Sequence, residues 1–195
     1  MTAQSNYLAG KRTEIHPYKT REGGATVTVF VPYNCLNNCP FCINKAEYEN
    51  PEGFSADKIC ESIRRMDAIT PYCDFVFTGG EPFADLNVLQ QMLDEIPKTH
   101  KIYINTTLPV SKFQTEDDIV RFTEKNKDKI TCINVSRHMQ HYVVESNDGL
   151  LKRLAVPFRI NCVLYKDYPK QDMIPYLERF RLIPGASIQF RFDYT

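Results

Sequence analysis

Three of the chain's seven cysteines fall within eight residues, Cys35-Leu-Asn-Asn-Cys39-Pro-Phe-Cys42. Three soft thiolates on one short loop can converge on a single center, and such donors select zinc or iron–sulfur clusters. Structural zinc sites and ordinary cubane clusters are closed by four protein ligands. No fourth cysteine follows at short spacing: Cys60 sits in a helical pattern, and Cys73, Cys132 and Cys162 are scattered over strand patterns. Those four read as small core residues, which argues against a second cluster. Two readings of the trio stand at this point. A center with three protein ligands keeps one metal position open for a substrate or cofactor. A structural zinc site would instead recruit a distant histidine.

A second pattern is Thr78-Gly79-Gly80-Glu81-Pro82, which closes a strand pattern and opens a helical one. Paired glycines let the backbone approach a ligand closely and leave amide and carbonyl groups free to bind it. Glu81 adds a negative charge, and an amino group suits such a place. The same five residues also serve as a plain strand–helix connection. Further on, Arg137-His138-Met139-Gln140-His141 holds two histidines three apart, able in principle to bind metal or move protons. They read more simply as surface-loop histidines.

The elements that must position these residues alternate. Strand patterns cover Thr26 to Tyr33, Cys73 to Thr78, Lys101 to Thr106, Ile130 to Ser136, Val156 to Leu164 and Ser187 to Tyr194. Between them lie helical patterns. Ser55 caps the first, Asp85 opens the second, and Thr115 with Asp118 forms a capping box for the third. A short helix spans Asp148 to Leu154, and a fifth runs from Gln171 to Arg181. Strict strand–helix alternation at about 30 residues per unit predicts an α/β fold: a parallel six-stranded sheet with right-handed crossovers. The chain is too short for an eight-stranded barrel of about 250 residues, which leaves an open partial barrel or a doubly wound sheet. In either, the cysteine loop lies at the carboxyl end of the sheet, where ligands bind. The reading is an N-terminal arm over residues 1–25 and one domain over 26–195.

Composition narrows the function classes. The chain has 195 residues, 24 basic and 24 acidic, so no overall basic field gathers nucleic acid. At 43% hydrophobic it can bury a real core. It shows no apolar run of membrane-spanning length and no secretory leader. An odd cysteine count without a leader disfavors a disulfide scaffold and predicts a cytoplasmic protein.

Taken together, Cys35, Cys39 and Cys42, the aromatic Phe41 before the third, and Gly79-Gly80-Glu81-Pro82 about 40 residues later resemble the radical S-adenosylmethionine superfamily. The resemblance implies a partial (βα)6 TIM-like barrel over roughly residues 26–195, in which the three cysteines hold a [4Fe-4S] cluster. It implies that the fourth iron binds the amino and carboxylate groups of S-adenosyl-L-methionine. Reductive cleavage then gives a 5′-deoxyadenosyl radical that abstracts hydrogen from a substrate. By the same resemblance, Phe41 lies by the adenine and Gly79, Gly80, Glu81 and Pro82 receive the methionyl amino group. Asn105, Thr106 and Ser136, at the ends of the third and fourth strands, would bind ribose and carboxylate. Arg153 would complete the carboxylate site. The glycine-containing adenine motif of some members is not evident in Arg159 to Leu164.

The last two strands add a reading that needs no family. Phe158, Ile160, Cys162 and Leu164 share one face of the fifth strand and Ile188, Phe190 and Phe192 one face of the sixth. The apolar faces should meet helices. That points Arg159, Asn161, Gln189, Arg191 and Asp193 into the lumen, either as a self-satisfying network or as a pocket for a charged or hydrogen-bonding substrate. Arg191 and Asp193 are the catalytic candidates. No helical pattern follows the sixth strand, so the cover for Ile188, Phe190 and Phe192 is expected from a further C-terminal portion, from the N-terminal arm or from a partner protein. The expected function is a radical S-adenosylmethionine enzyme acting on a small molecule, nucleotide or peptide, fed by an external electron donor of flavodoxin or ferredoxin type. The alternatives are a glycyl-radical-enzyme activase acting on a partner protein and a non-catalytic structural zinc module.

Overall fold

A computed structural model of the chain describes residues 25–31, 35, 37, 39–42, 44, 55–70, 73–138, 147–164 and 170–192. Strands β1 (Thr26–Val31), β2 (Asp74–Gly79), β3 (Lys101–Thr106), β4 (Cys132–Ser136), β5 (Phe158–Leu164) and β6 (Ile188–Phe192) form one sheet. They pair in chain order, each pair parallel, with β1 and β6 at the edges. A doubly wound sheet reverses its strand order partway. This one never does, which decides for the open partial barrel.

Helices α1 (Ala56–Ile69), α2 (Leu86–Asp94), α3 (Glu116–Lys125) and α4 (Met173–Arg181) fill four of the connections, and a 3-10 helix, Asp148–Arg153, lies between β4 and β5. The expected caps form. Ser55 Oγ accepts from the Lys58 N–H at 3.2 Å, and Asp85 Oδ1 accepts from Asn87 and Val88. Thr115 and Asp118 complete the box. Each such cap contributes about 1 kcal/mol. Pro175 is tolerated because it lies in the first turn of α4, where its missing N–H is not needed.

Two strands start two residues later than their composition suggests. The Ile130 N–H is taken by Asn126 O at 2.9 Å, in the turn that closes α3. Pro157 has no N–H to give, so the β5 ladder opens at Phe158. Pro32 and Tyr33, the arm over residues 1–24, and Asp193 lie outside the described residues.

The outward face of the sheet is the core. Phe75, Phe77, Ile104, Ile133 and Ile160 are fully buried, packed with Leu89, Met92 and Leu93 of α2 and with Cys60 and Ile63 of α1. The four scattered cysteines are buried free thiols, as expected. On β6, Ile188 and Phe190 pack against the core, with the Tyr176 ring of α4 at 5.9 Å from that of Phe190. Phe192 remains 63% exposed. By strand alternation the inward face carries Asn105, Asn134, Ser136, Arg159, Asn161 and Gln189. The register sets Asn105 beside Asn134, Asn134 beside Arg159, and Ser136, Asn161 and Gln189 in one row. That face is polar.

Candidate cofactor site

The loop after β1 brings Cys35, Cys39 and Cys42 to the carboxyl end of the sheet as half-buried free thiols. The Cys42 N–H donates to Cys39 O at 3.2 Å, closing a tight turn around Pro40 and Phe41. Burial pushes the Cys35 thiol up; the Asn37 backbone N–H opposes this, and the nearby Glu81 carboxylate and Cys42 add to it. Glu81 and Cys42 thus each lie near enough to Cys35 to act on its thiol. Among the described residues no three His, Cys, Asp or Glu side chains gather as a single-ion site. The donor set is nonetheless all thiol, the chemistry an iron–sulfur cluster takes.

The loop is tied to three neighboring strand ends. Asn44 Nδ2 donates to Gly79 O at 2.9 Å, at the end of β2. Buried Asn37 reaches Thr107 Oγ1, just past β3, at 3.5 Å. Phe41 meets His138, just past β4, edge to face with ring centroids 4.8 Å apart. Asn37 and Asn44 escape a motif reading, although each lies two residues after a cysteine of the trio.

Gly79 has φ +110°, a conformation that disfavors any side chain, so the first glycine of the pair meets a backbone need. Gly79→Ala is expected to cost about 1–3 kcal/mol and to displace the turn. Denaturant titration checks the first; loss of chelatable iron from the reconstituted protein checks the second.

Glu81 is spent differently from the sequence expectation. It is 5% exposed, and its carboxylate accepts four internal donors. Oε1 takes the Phe83 N–H at 2.9 Å and the Thr106 hydroxyl at 2.5 Å; Oε2 takes the Thr107 N–H at 2.8 Å and the Thr107 hydroxyl at 2.7 Å. Burial pushes its carboxyl up, against the pull of these bonds. The residue staples the end of β2 to the end of β3. Pro82 opens a short 3-10 turn, Pro82–Ala84, behind it.

The remaining expected cofactor residues separate. Asn105 lies on the inward face and accepts from Asn134 Nδ2 at 2.7 Å. Ser136 also faces inward, beside Asn161. Thr106 has the opposite parity, and its hydroxyl is taken by Glu81 and by the Leu108 N–H at 2.8 Å. Arg153 is 44% exposed at its side chain and pairs with Glu116 and Asp117 in the first turn of α3. Its guanidinium has surface partners rather than a place among the inward polar groups.

Arg159 and Asn161 are buried, Gln189 is half-buried and Arg191 is exposed. Asn134, which the sequence reading passed over, joins them at 1% exposure. Its signal was present in the alternation Cys132-Ile-Asn134-Val-Ser136. Among the described residues, the side-chain oxygens of Asn134, Asn161 and Gln189 are buried without a hydrogen-bond partner. Burying an amide oxygen unpaired costs about 1–3 kcal/mol, so this layer does not satisfy itself.

Arg137 and His138 correct the surface-loop reading. Arg137 is fully buried. Its Nη1 donates to Thr107 O at 2.8 Å and Ser136 O at 2.9 Å, and its Nε lies 3.4 Å from Asp148, which also pairs with Arg179. His138 is 6% exposed and its Nδ1 accepts from the Val163 N–H at 3.1 Å. Met139, Gln140 and His141 lie outside the described residues. Burial first, then the neighboring Arg137 charge, hold the His138 imidazole down to about 4 from 6.5. The unfolded chain therefore binds a proton below about pH 6.5 that the folded chain refuses until about pH 4. Stability is present above that window and falls as pH drops through it, by about 3 kcal/mol in all. Urea titrations of the metal-free protein at pH 7 and pH 4.5 should show most of this loss, and His138→Gln should flatten it.

Six parallel strands in sequential order, with a three-thiol loop after the first and a glycine–glycine–glutamate turn after the second, are the arrangement expected from the resemblance to radical S-adenosylmethionine proteins. Residues 22–143 match the model of the 4Fe-4S single cluster domain, and the chain belongs to that family. Among solved structures, native anSMEcpe with bound AdoMet and a peptide superposes with a TM-score of 0.62 at 18% identity, covering 87% of this chain and 51% of that one. SuiB of Streptococcus suis superposes with a TM-score of 0.61 at 15% identity, covering 88% of this chain and 40% of that one. At such identity the likeness shows the fold. The chain spans about half the length of the first and two fifths of the second. No curated protein sequence matches it. Among the described residues no helix is long and apolar enough to cross a membrane.

Proposed function

We propose that this chain is the catalytic barrel of a radical S-adenosylmethionine enzyme, with Cys35, Cys39 and Cys42 as the ligands of a [4Fe-4S] cluster. The observation that carries the reading is the all-thiol loop, tied to the ends of β2, β3 and β4, with Glu81 and Cys42 each near enough to raise the Cys35 thiol. Held by Cys35, Cys39 and Cys42, such a cluster would supply, once reduced by an external donor, the electron for reductive cleavage of S-adenosyl-L-methionine and so hydrogen abstraction from the substrate. The protein's part is to hold and orient. The Gly79-Gly80 turn presents its backbone to the methionyl amino group, and Glu81 holds that turn in place while adding negative charge nearby. Phe41 offers a ring face to the adenine, and Asn105 and Ser136 face inward with polar groups for ribose and carboxylate. Arg153, with its present partners, would have to leave Glu116 and Asp117 to take part.

Arg159, Asn161 and Gln189 line the substrate side, with Arg191 on the edge strand β6; Asp193 stays a candidate from the sequence. A substrate rich in N–H donors suits the unpaired oxygens of Asn134, Asn161 and Gln189. Peptides have such donors, and the peptide bound to anSMEcpe makes that class the first to try. The activase alternative differs only in taking its peptide from a partner protein.

A structural zinc module is the rival of another class. One zinc ion needs its donors in a single tetrahedron, whereas a cluster meets its thiolates at separate irons. Anaerobic reconstitution with iron and sulfide distinguishes the two. The proposal expects a brown protein bleached by dithionite; a colorless protein that holds zinc tightly would sink it.

A further inference from the structure

We propose that His138 is the residue that positions the cluster loop, by finishing the β4–β5 ladder with its own side chain and turning its ring against Phe41. The inference rests on the reading of Cys35, Cys39 and Cys42 as cluster ligands.

The ladder shows why. The Arg137 N–H donates to Asn161 O at 2.9 Å, the last backbone rung between the two strands. In a parallel pair the next rung would run from the Val163 N–H to Arg137 O. That carbonyl instead accepts the Tyr176 hydroxyl of α4 at 2.6 Å. The Val163 N–H turns to His138 Nδ1 at 3.1 Å. A side chain thus stands in for a backbone carbonyl. Because Nδ1 accepts, the ring proton sits on Nε2 and the imidazole is neutral.

This bond fixes the plane of the ring. Its edge-to-face contact with Phe41, at 4.8 Å and 75°, then fixes the residue between Cys39 and Cys42. The Cys42 N–H to Cys39 O turn closes around Phe41, so a shift of that ring moves both thiols. An apolar ring at position 138 would touch Phe41 but leave the Val163 N–H unpaired. A short polar side chain would do the reverse. Histidine does both.

The test uses His138→Ala, Phe41→Ala and the double variant, each reconstituted anaerobically. Iron release to a chelator is expected to be about tenfold faster in each single variant, the scale of lost outer-shell support, with a broadened spectrum of the reduced cluster. If His138 acts through Phe41, the double variant releases iron no faster than the worse single one. Wild-type release and spectrum in His138→Ala, or effects that multiply, would overturn the proposal. Should His138→Ala fold poorly, His138→Asn keeps an acceptor for Val163 and is expected to show the same faster release at an unchanged unfolding midpoint. Hydrogen exchange over residues 35–44 in the metal-free proteins judges His138 without iron. Faster exchange in the variant supports its role, and equal exchange refutes it. A wild-type chain that takes up no iron would instead refute the ligand assignment alone.

Discussion

Cys39→Ala is expected to abolish cluster assembly and S-adenosyl-L-methionine cleavage while leaving the fold intact. Two thiolates cannot replace three, and no other cysteine among the described residues is placed to substitute. Cys60, Cys73, Cys132 and Cys162 are buried in the body of the barrel. Cys132 is held as a neutral thiol, pushed up to about 11 by burial even with Arg159 nearby. The fold survives because Cys39 is a half-buried loop residue outside every strand and helix, where truncation typically moves unfolding free energy by less than about 0.5 kcal/mol. Cys60→Ala should behave oppositely. That side chain is 2% exposed in the core, so its loss lowers stability by about 1 kcal/mol and leaves iron content unchanged. Iron analysis and thermal melts on the two variants separate a ligand from a core residue.

Glu81→Ala should be the most destabilizing single change near the site. It strands the buried N–H groups of Phe83 and Thr107 together with two hydroxyls. At about 1–3 kcal/mol for each orphaned buried backbone donor, the total is about 3–5 kcal/mol. For a domain of this size that lowers the melting midpoint by about 10 °C. Glu81→Gln is not silent either. Each carboxylate oxygen faces a backbone N–H, so the amide NH2 of glutamine must confront one donor with another. About 1–3 kcal/mol should be lost. Equilibrium urea unfolding of both variants reads these costs, and a melting midpoint unchanged in Glu81→Ala would contradict the staple.

The contrast between these residues shows what a sequence makes legible. Ser55, Asp85 and Thr115 act on backbone groups two or three residues away, so their caps could be written down from local chemistry. The cysteine spacing and the parity of Phe158 to Leu164 are local too. Composition alone left the open barrel and the doubly wound sheet undecided, because strand order is a property of the assembled sheet. The bonds of Glu81 to Thr106 and Thr107 span 25 and 26 positions, and Arg137 reaches Thr107 across 30. No spacing rule predicts which polar group will close such a gap. Thr106 looked like a ligand contact because it ends a strand; its parity and its two hydrogen bonds turn it away. His138 looked like a loop residue because the chain leaves β4 there. It is buried because Tyr176, 38 positions on, takes the carbonyl that Val163 would have used.

The most direct measurement is 5′-deoxyadenosine released by the reconstituted, dithionite-reduced protein incubated with S-adenosyl-L-methionine. If Cys35, Cys39 and Cys42 hold the cluster beside the Gly79–Pro82 turn, the nucleoside accumulates in the wild type and not in Cys39→Ala. A protein fully loaded with iron and sulfide that forms none, or a Cys39→Ala variant that forms as much as the wild type, would contradict the account.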